Sequence, residues 1–258
     1  MTSYQTILVE RANHITTVTL NRPNKLNALN MTMAEELHEV LHAEDRNDDT
    51  RVIVITGAGR GFCSGADLTP DQPPAPRASN APSLADATFE AFQIEKPIIA
   101  AINGVSVGGG CTMTLCCDIR IASQEARFQL PFVRLSISAE IGSTYLLPRL
   151  IGWGKTMELV LTCKMIDARE AGEIGLVNHV VPADELLDTA MQMAHTIAAL
   201  PPMAVRFNKK GIRLGMGSEL EAQRRYEELA AASLGRTEDA REARLAFAEK
   251  RDPVYTGR

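Results

Sequence analysis

Apolar and polar positions divide the chain into two kinds of segment. Ile7 to Glu10 and Ile15 to Leu20 are short, rich in apolar and β-branched residues, and separated by Arg11-Ala12-Asn13-His14. That pattern predicts a β-hairpin. After the loop Asn21 to Lys25, the spacing changes. Met33, Leu37, Val40 and Leu41 recur at helical intervals, and Asn30 suits an N-cap, which predicts a helix to about Asn47. Val52 to Thr56 and the segment Lys96 to Asn103 are continuous apolar runs of strand length. Cys111 to Cys117 is an apolar, small-residue run; Ile119 to Ala122 reads as a short strand, and Phe128 as the opening of another. Glu140 to Leu150, Lys155 to Thr162 and Ala168 to Glu173 read as helices, with Gly175 as a stop, and Val177 to Val181 as a last strand. Everything beyond is helical in pattern, over roughly 183–199, 202–214, 218–234 and 237–251. A β/α first part followed by an all-helical end predicts an α/β core with a helical appendage. No repeat of fixed period is evident.

Composition narrows the class. A chain of 258 residues with 45% hydrophobic and 23% charged residues is that of an ordinary globular protein. The net charge of −5 gives no nucleic-acid footprint. The five cysteines have no CxxC spacing and read as small buried residues of a reducing compartment. No basic-then-apolar leader is evident at the N-terminus, and no apolar run is long enough to span a membrane, so a cytoplasmic location is expected.

The chemistry centres on two glycine loops. Gly104 to Gly110 follows the second buried run and ends in the triplet Gly108-Gly109-Gly110 at the mouth of a helix. Gly61-Phe62-Cys63-Ser64-Gly65-Ala66-Asp67-Leu68 follows the first. Glycines at a helix start leave backbone N–H groups uncovered, and such groups attract negative charge. Two strand-end loops can thus aim two donors at one developing oxyanion. The stretch Thr69 to Ser83 holds five prolines and is expected to be a mobile surface loop beside the first donor.

These residues resemble the enoyl-CoA hydratase/isomerase (crotonase) superfamily over nearly the full chain. The resemblance is carried by Leu20-Asn21-Arg22-Pro23, Asn27-Ala28-Leu29, Phe62 to Leu68, Lys96-Pro97, Asn103-Gly104, Gly108 to Cys111, Cys117-Asp118-Ile119-Arg120, Gly175-Leu176-Val177 and Glu249-Lys250-Arg251. It implies a crotonase-like α/β spiral of ββα units over 1–182, holding the acyl-CoA site, and a C-terminal helical trimerisation region over 183–258. It implies an acyl-CoA thioester as substrate, no prosthetic group, no metal, no nucleic-acid or membrane partner, and a homotrimer or homohexamer. By position, the Ala66 and Gly109 amides would form the oxyanion hole. Lys25, Ser64, Asp67, Leu68 and Gly108, with the same Ala66 and Gly109, would line the coenzyme A site, and Lys250 would approach its phosphates.

The departures from the hydratase pattern are informative. Hydratases of the family carry a glutamate two residues after the triplet, where this chain has Thr112. They carry a second after a proline some twenty residues on, where Pro131 is followed by Phe132. Glu140, in Ser138-Ala139-Glu140-Ile141-Gly142, stands where single-carboxylate isomerases of the family carry their acid. The resemblance therefore implies a 3-enoyl-CoA to 2-enoyl-CoA isomerase of fatty acid metabolism, with Glu140 as the base. The alternatives are a hydratase or another crotonase-type enzyme, such as a ring or epoxide isomerase, and a non-catalytic CoA-binding subunit.

Three other patterns are set aside. His38-Glu39-Val40-Leu41-His42 matches the HExxH zinc motif, but its helix turns Met33, Leu37, Val40 and Leu41 to the core and no third ligand is recognisable. Gly154-Lys155-Thr156 ends like a P-loop, but Arg149 occupies the first glycine position. Ser106 and Ser143 lack a nucleophile-elbow context. Asp118 is expected to make a structural polar contact.

Overall fold

The computed structural model describes residues 4–68 and 90–258, so the proline-rich stretch 69–83 lies outside the described residues. The predicted hairpin is β1 (Ile7–Ala12) and β2 (Ile15–Leu20), paired antiparallel with Ile7 opposite Leu20. The 16-residue helix α1 (Met31–Arg46) follows, capped by the Asn30 side chain, which accepts from the Met33 amide at 2.9 Å. The chain then enters β3 (Val52–Gly57).

From here each strand of one sheet is followed by a short strand of another. β3 leads to β4 (Gly61–Cys63), β5 (Ile98–Ile102) to β6 (Val105–Val107), and β7 (Ile119–Ser123) to β8 (Arg127–Gln129). With β9 (Ile166–Asp167) and β10 (His179–Val181), the large sheet has the order β1-β2-β3-β5-β7-β10 and the small one β4-β6-β8-β9. Both sheets advance in step and pair mainly in parallel, which is the geometry of a spiral of strand–strand–helix units. Of the small sheet only β8, at Phe128, was legible as a strand; β4, β6 and β9 are two or three residues long, below the length at which alternation is readable.

The large sheet is covered on both faces, which explains its unbroken apolar runs. Ile53, Ile55, Ile98, Ala100 and Ile102 point into the main core, with Phe62, Phe128 and Met33. The alternate residues Val52, Val54, Ile99, Ala101 and Ile121 meet Leu186, Ala190, Ala194 and Ala198. Those four lie at i+4 intervals on α6 (Leu186–Ala198), and three alanines let this helix lie close to the sheet. Thus the helix just beyond residue 183 packs on the strand core.

The helices before it are α2 (Gly109–Leu115), α3 (Ser143–Ile151), α4 (Trp153–Thr162) and α5 (Ala168–Glu173). Those after it are α7 (Pro202–Gly215), α8 (Leu220–Leu234) and α9 (Glu238–Glu249). The helix expected from Glu140 starts at Ser143 instead, because Ile141 and Gly142 both take positive φ and leave Glu140 in the preceding loop. Asp118 is a structural anchor. It accepts from the Ile98 amide at 2.7 Å, Lys209 Nζ at 2.6 Å and Arg213 Nη2 at 2.9 Å, tying α7 to β5. Burial pushes the Lys209 ammonium down to about 8, so its bond to Asp118 offsets a real desolvation cost.

A buried acid locks α1 to the hairpin. Glu44 accepts from Arg11, Thr16, Thr50 and Asn47 at 2.6–3.1 Å. Burial alone would raise its carboxyl, but these bonds outweigh it and hold the group at about 2 rather than the ordinary 4.5. A depressed carboxyl stabilises the fold above its unfolded value and loses that contribution as pH falls. Urea unfolding should therefore show Glu44→Gln less stable than the parent at pH 7, by about 2 kcal/mol, the scale of hydrogen bonds to a charged group. The gap should close as pH falls from 4.5 toward 2; a gap independent of pH would show that ionised Glu44 adds nothing.

Candidate active site

The site follows from one pairing. β4 and β6 run parallel, with Cys63 opposite Ser106. Three residues beyond each partner lie Ala66 and Gly109. The parallel register thus brings the two loops out side by side at the same end of the small sheet. Close approach is enforced by glycine. A Cβ on Gly110 would sit 2.2 Å from the Cys63 carbonyl oxygen, and one on Gly65 (φ 91°) only 2.7 Å from that of Val107 and 3.6 Å from the Gly109 nitrogen. Neither position admits a side chain.

Both amides are left available. Among the described residues, no backbone acceptor takes the Ala66 or Gly109 N–H. Their neighbours are occupied: Leu29 N–H donates to Gly65 C=O and Asp67 N–H to Leu29 C=O, each at 2.8 Å, which bridges Leu29 to Ala66. Gly109 is the first residue of α2, so its N–H belongs to the uncovered positive end of that helix. The Gly108 carbonyl accepts from Cys111 and Thr112, each at 2.9 Å, and closes the first turn.

Two polar residues of the quoted motifs prove to be the support of the Ala66 loop. Asn27, fully buried with φ 54°, donates to the Ala58 and Gly61 carbonyls at 2.9 and 2.8 Å and accepts from the Arg22 amide. The Arg22 guanidinium reaches the Ala28 carbonyl and forms an ion pair with Asp67 at 2.7 Å. Asp67 is therefore a fixture of the loop's own structure. The sequence shows Arg22 and Asn27 at either end of the Pro23 to Leu26 bend, but not what they hold.

The other predicted residues divide. Ser64 lies beside Lys25: its amide donates to Leu26 C=O at 3.0 Å and its hydroxyl to Lys25 C=O at 3.3 Å. Lys25, Ala66 and Leu68 are exposed on this rim. Lys250 closes α9 in the left-handed conformation, φ 55°, and among the described residues no hydrogen bond or ion pair joins it to the two loops. His38 and His42 meet on α1 with ring centroids 4.6 Å apart and their planes tilted by 60°.

Glu140 reaches the site from the loop before α3. Its Oε1 lies 3.4 Å from the point a Cβ on Gly109 would occupy; Leu29 Cδ1 and Ile141 Cδ1 lie 3.3 and 3.8 Å from the same point. The carboxylate is half-buried, and burial raises it above the usual carboxylate range. No hydrogen bond or ion pair to its oxygens occurs among the described residues. Positions 112 and 132 offer no second acid. Thr112 is buried and directs its hydroxyl at the Gly108 and Gly109 carbonyls, both at 3.3 Å, while Phe132 is 2% exposed in the main core. The arrangement sets two uncovered amides and one carboxylate with a raised pKa around the Gly109 backbone.

Comparison with known proteins agrees with this architecture. The family model described as Enoyl-CoA hydratase/isomerase matches residues 10–258. A short-chain-enoyl-CoA hydratase of Clostridium acetobutylicum is 38% identical over 248 residues, 95% of each chain. A 1,2-epoxyphenylacetyl-CoA isomerase of Escherichia coli is 37% identical over 256 residues, also 95% of each. The crystal structure of an enoyl-CoA hydratase from Bacillus anthracis superposes with a TM-score of 0.91 at 37% identity, covering 98% of this chain and all of that one. On its fold, its paired glycine loops and its match along nearly the whole length, the chain belongs to the enoyl-CoA hydratase/isomerase family.

Proposed function

We propose that this protein is an acyl-CoA isomerase that moves a double bond from position 3 to position 2 of a thioester. The observation that carries the reading is the carboxylate at Gly109, the one acid set there among the described residues: Glu140 faces that backbone, whereas Thr112 and Phe132 have no capacity for acid–base work. The thioester oxygen accepts from the Ala66 and Gly109 amides. Glu140 removes a proton from C2, and the charge passes to the thioester oxygen as a dienolate. Two fixed donors stabilise that oxyanion, and the loss of one such donor costs about 10²–10³-fold in rate. Glu140, now protonated and on the same face, delivers the proton to C4. One carboxylate serves as base and acid in turn. A raised pKa suits the first half of the cycle, since it makes the carboxylate a stronger base toward C2.

Coenzyme A lies along the backbone of Ser64 to Leu68, beside Lys25 and Gly108, in this reading, with no prosthetic group involved. Hydration is the second reading, supported by the Clostridium and Bacillus relatives, which are named as hydratases. It requires a water held by positioned acid and base groups, and Glu140 alone supplies one of them. The helical end serves assembly. Helix α8 has no buried residue, and Leu220 and Phe247 are more than four-fifths exposed, a face that a homotrimer or homohexamer would cover.

Four outcomes follow. Glu140→Gln should leave folding and CoA binding near the parent's and lower isomerase turnover by at least about 10²-fold, read from absorbance of the conjugated thioester. The parent's turnover should rise with pH through a value above the usual glutamate range, because the base works ionised; rapid hydration of crotonyl-CoA would favour the second reading instead. In a thioester complex, the Ala66 and Gly109 nitrogens should both lie about 2.7–3.1 Å from the carbonyl oxygen; a carbonyl bound elsewhere overturns the assignment. Light scattering at micromolar concentration should give three or six chain masses, and a monomer contradicts the role given to the helical end.

A further inference from the structure

The loop that carries Glu140 is built against its own sequence preference. The Ser143 amide donates to the Glu140 carbonyl at 3.1 Å, which closes a four-residue turn. Both central residues have positive φ, 56° at Ile141 and 67° at Gly142. That is the φ pattern of a type I′ turn, for which Asn-Gly or Gly-Gly is the favoured pair. A β-branched residue is the poorest choice for the first central place. The same turn starts α3 without a side-chain cap, and the Ser143 hydroxyl is buried with no hydrogen-bond partner among the described residues. Three local costs thus fall on four consecutive residues. Strain of this kind persists only where the surroundings over-determine it, and it gathers at functional sites.

The surroundings do over-determine Ile141. Its side chain is 6% exposed and belongs to the main core. Its Cδ1 reaches to 3.8 Å from the Gly109 Cβ point, and its carbonyl accepts from the Cys116 thiol at 3.8 Å. Glu140, one residue earlier, needs such an anchor. Its Oε1 lies 3.4 Å from the point a Cβ on Gly109 would occupy, with no hydrogen bond or ion pair among the described residues to orient it. Its direction is therefore set by the backbone that precedes the turn and by packing.

We infer that Ile141 is a positioning residue, whose left-handed backbone and buried side chain together fix the Glu140 carboxylate over Gly109. This rests on Glu140 as the base. The residue contributes to turnover through Glu140 and is not itself a catalytic group. A small displacement of a reacting group can cost about 10²-fold in rate while leaving substrate binding intact.

The test uses Ile141→Val, Ile141→Gly and Ile141→Asn, with Glu140→Gln in parallel, measured by steady-state isomerisation of a 3-enoyl-CoA and by thermal unfolding. Val retains the branched anchor and should stay within about 3-fold of the parent. Gly frees the backbone and removes the anchor; kcat should fall by about 10- to 10²-fold with KM within about 3-fold. Asn suits the turn but lacks the apolar anchor, so kcat should again fall at least about 10-fold; it also serves if the Gly variant does not fold. A folded Gly or Asn variant with parental kcat, beside a Glu140→Gln variant that has lost activity, overturns the inference alone. A Glu140→Gln variant that keeps parental activity overturns the base assignment, and the inference with it.

Discussion

The parallel register of two three-residue strands is the constraint on which the site depends. With Cys63 set opposite Ser106, the chain has no choice but to emerge as two adjacent loops, and Ala66 and Gly109 stand at matching distances along them. The glycines at 65 and 110 are consequences of that closeness, since a side chain at either would strike the facing backbone. The Arg22–Asp67 ion pair and the buried Asn27 amide then hold the outer loop from behind. Donors fixed in this way need no reorganisation when charge develops in front of them, which is the physical basis of oxyanion stabilisation.

Around these donors the chain places few polar groups. Thr112 uses its hydroxyl on the helix's own carbonyls, Phe132 joins the core, and Leu29 and Ile141 set apolar ends against Gly109. Glu140 is left as a half-buried carboxylate whose raised pKa has burial as its cause. A group so placed is poor for stability and suited to proton transfer, because among the described residues the ionised form has no compensating bond. The contrast with Glu44 is instructive. That buried acid accepts four hydrogen-bonding partners, sits near 2 and serves the fold.

Much of this was readable from residue patterns. The apolar runs at Val52 and Ile98 located the sheet, and the glycine loops after them are the two that the small sheet sets side by side. The family followed from the quoted motifs, and the matches to family and relatives bear it out. The short strands β4, β6 and β9 were not legible, since two or three residues carry no period, and with them went the register that explains the loops. The helix expected from Glu140 failed for a related reason: Ile-Gly gives no turn signal, and only tertiary packing holds Ile141 at positive φ. The support roles of Arg22 and Asn27 are long-range contacts, which local spacing does not encode.

A single-carboxylate shuttle leaves an isotopic signature. A 3-enoyl-CoA carrying two deuteriums at C2, turned over in ordinary water, passes one deuterium to Glu140, which can return it to C4 before solvent exchanges it. Mass spectrometry and NMR of the 2-enoyl product measure that transfer. The account predicts deuterium at C4 in a substantial share of the product, abolished together with turnover in Glu140→Gln. Product carrying only solvent hydrogen at C4, formed at a rate that Glu140→Gln does not change, would contradict it.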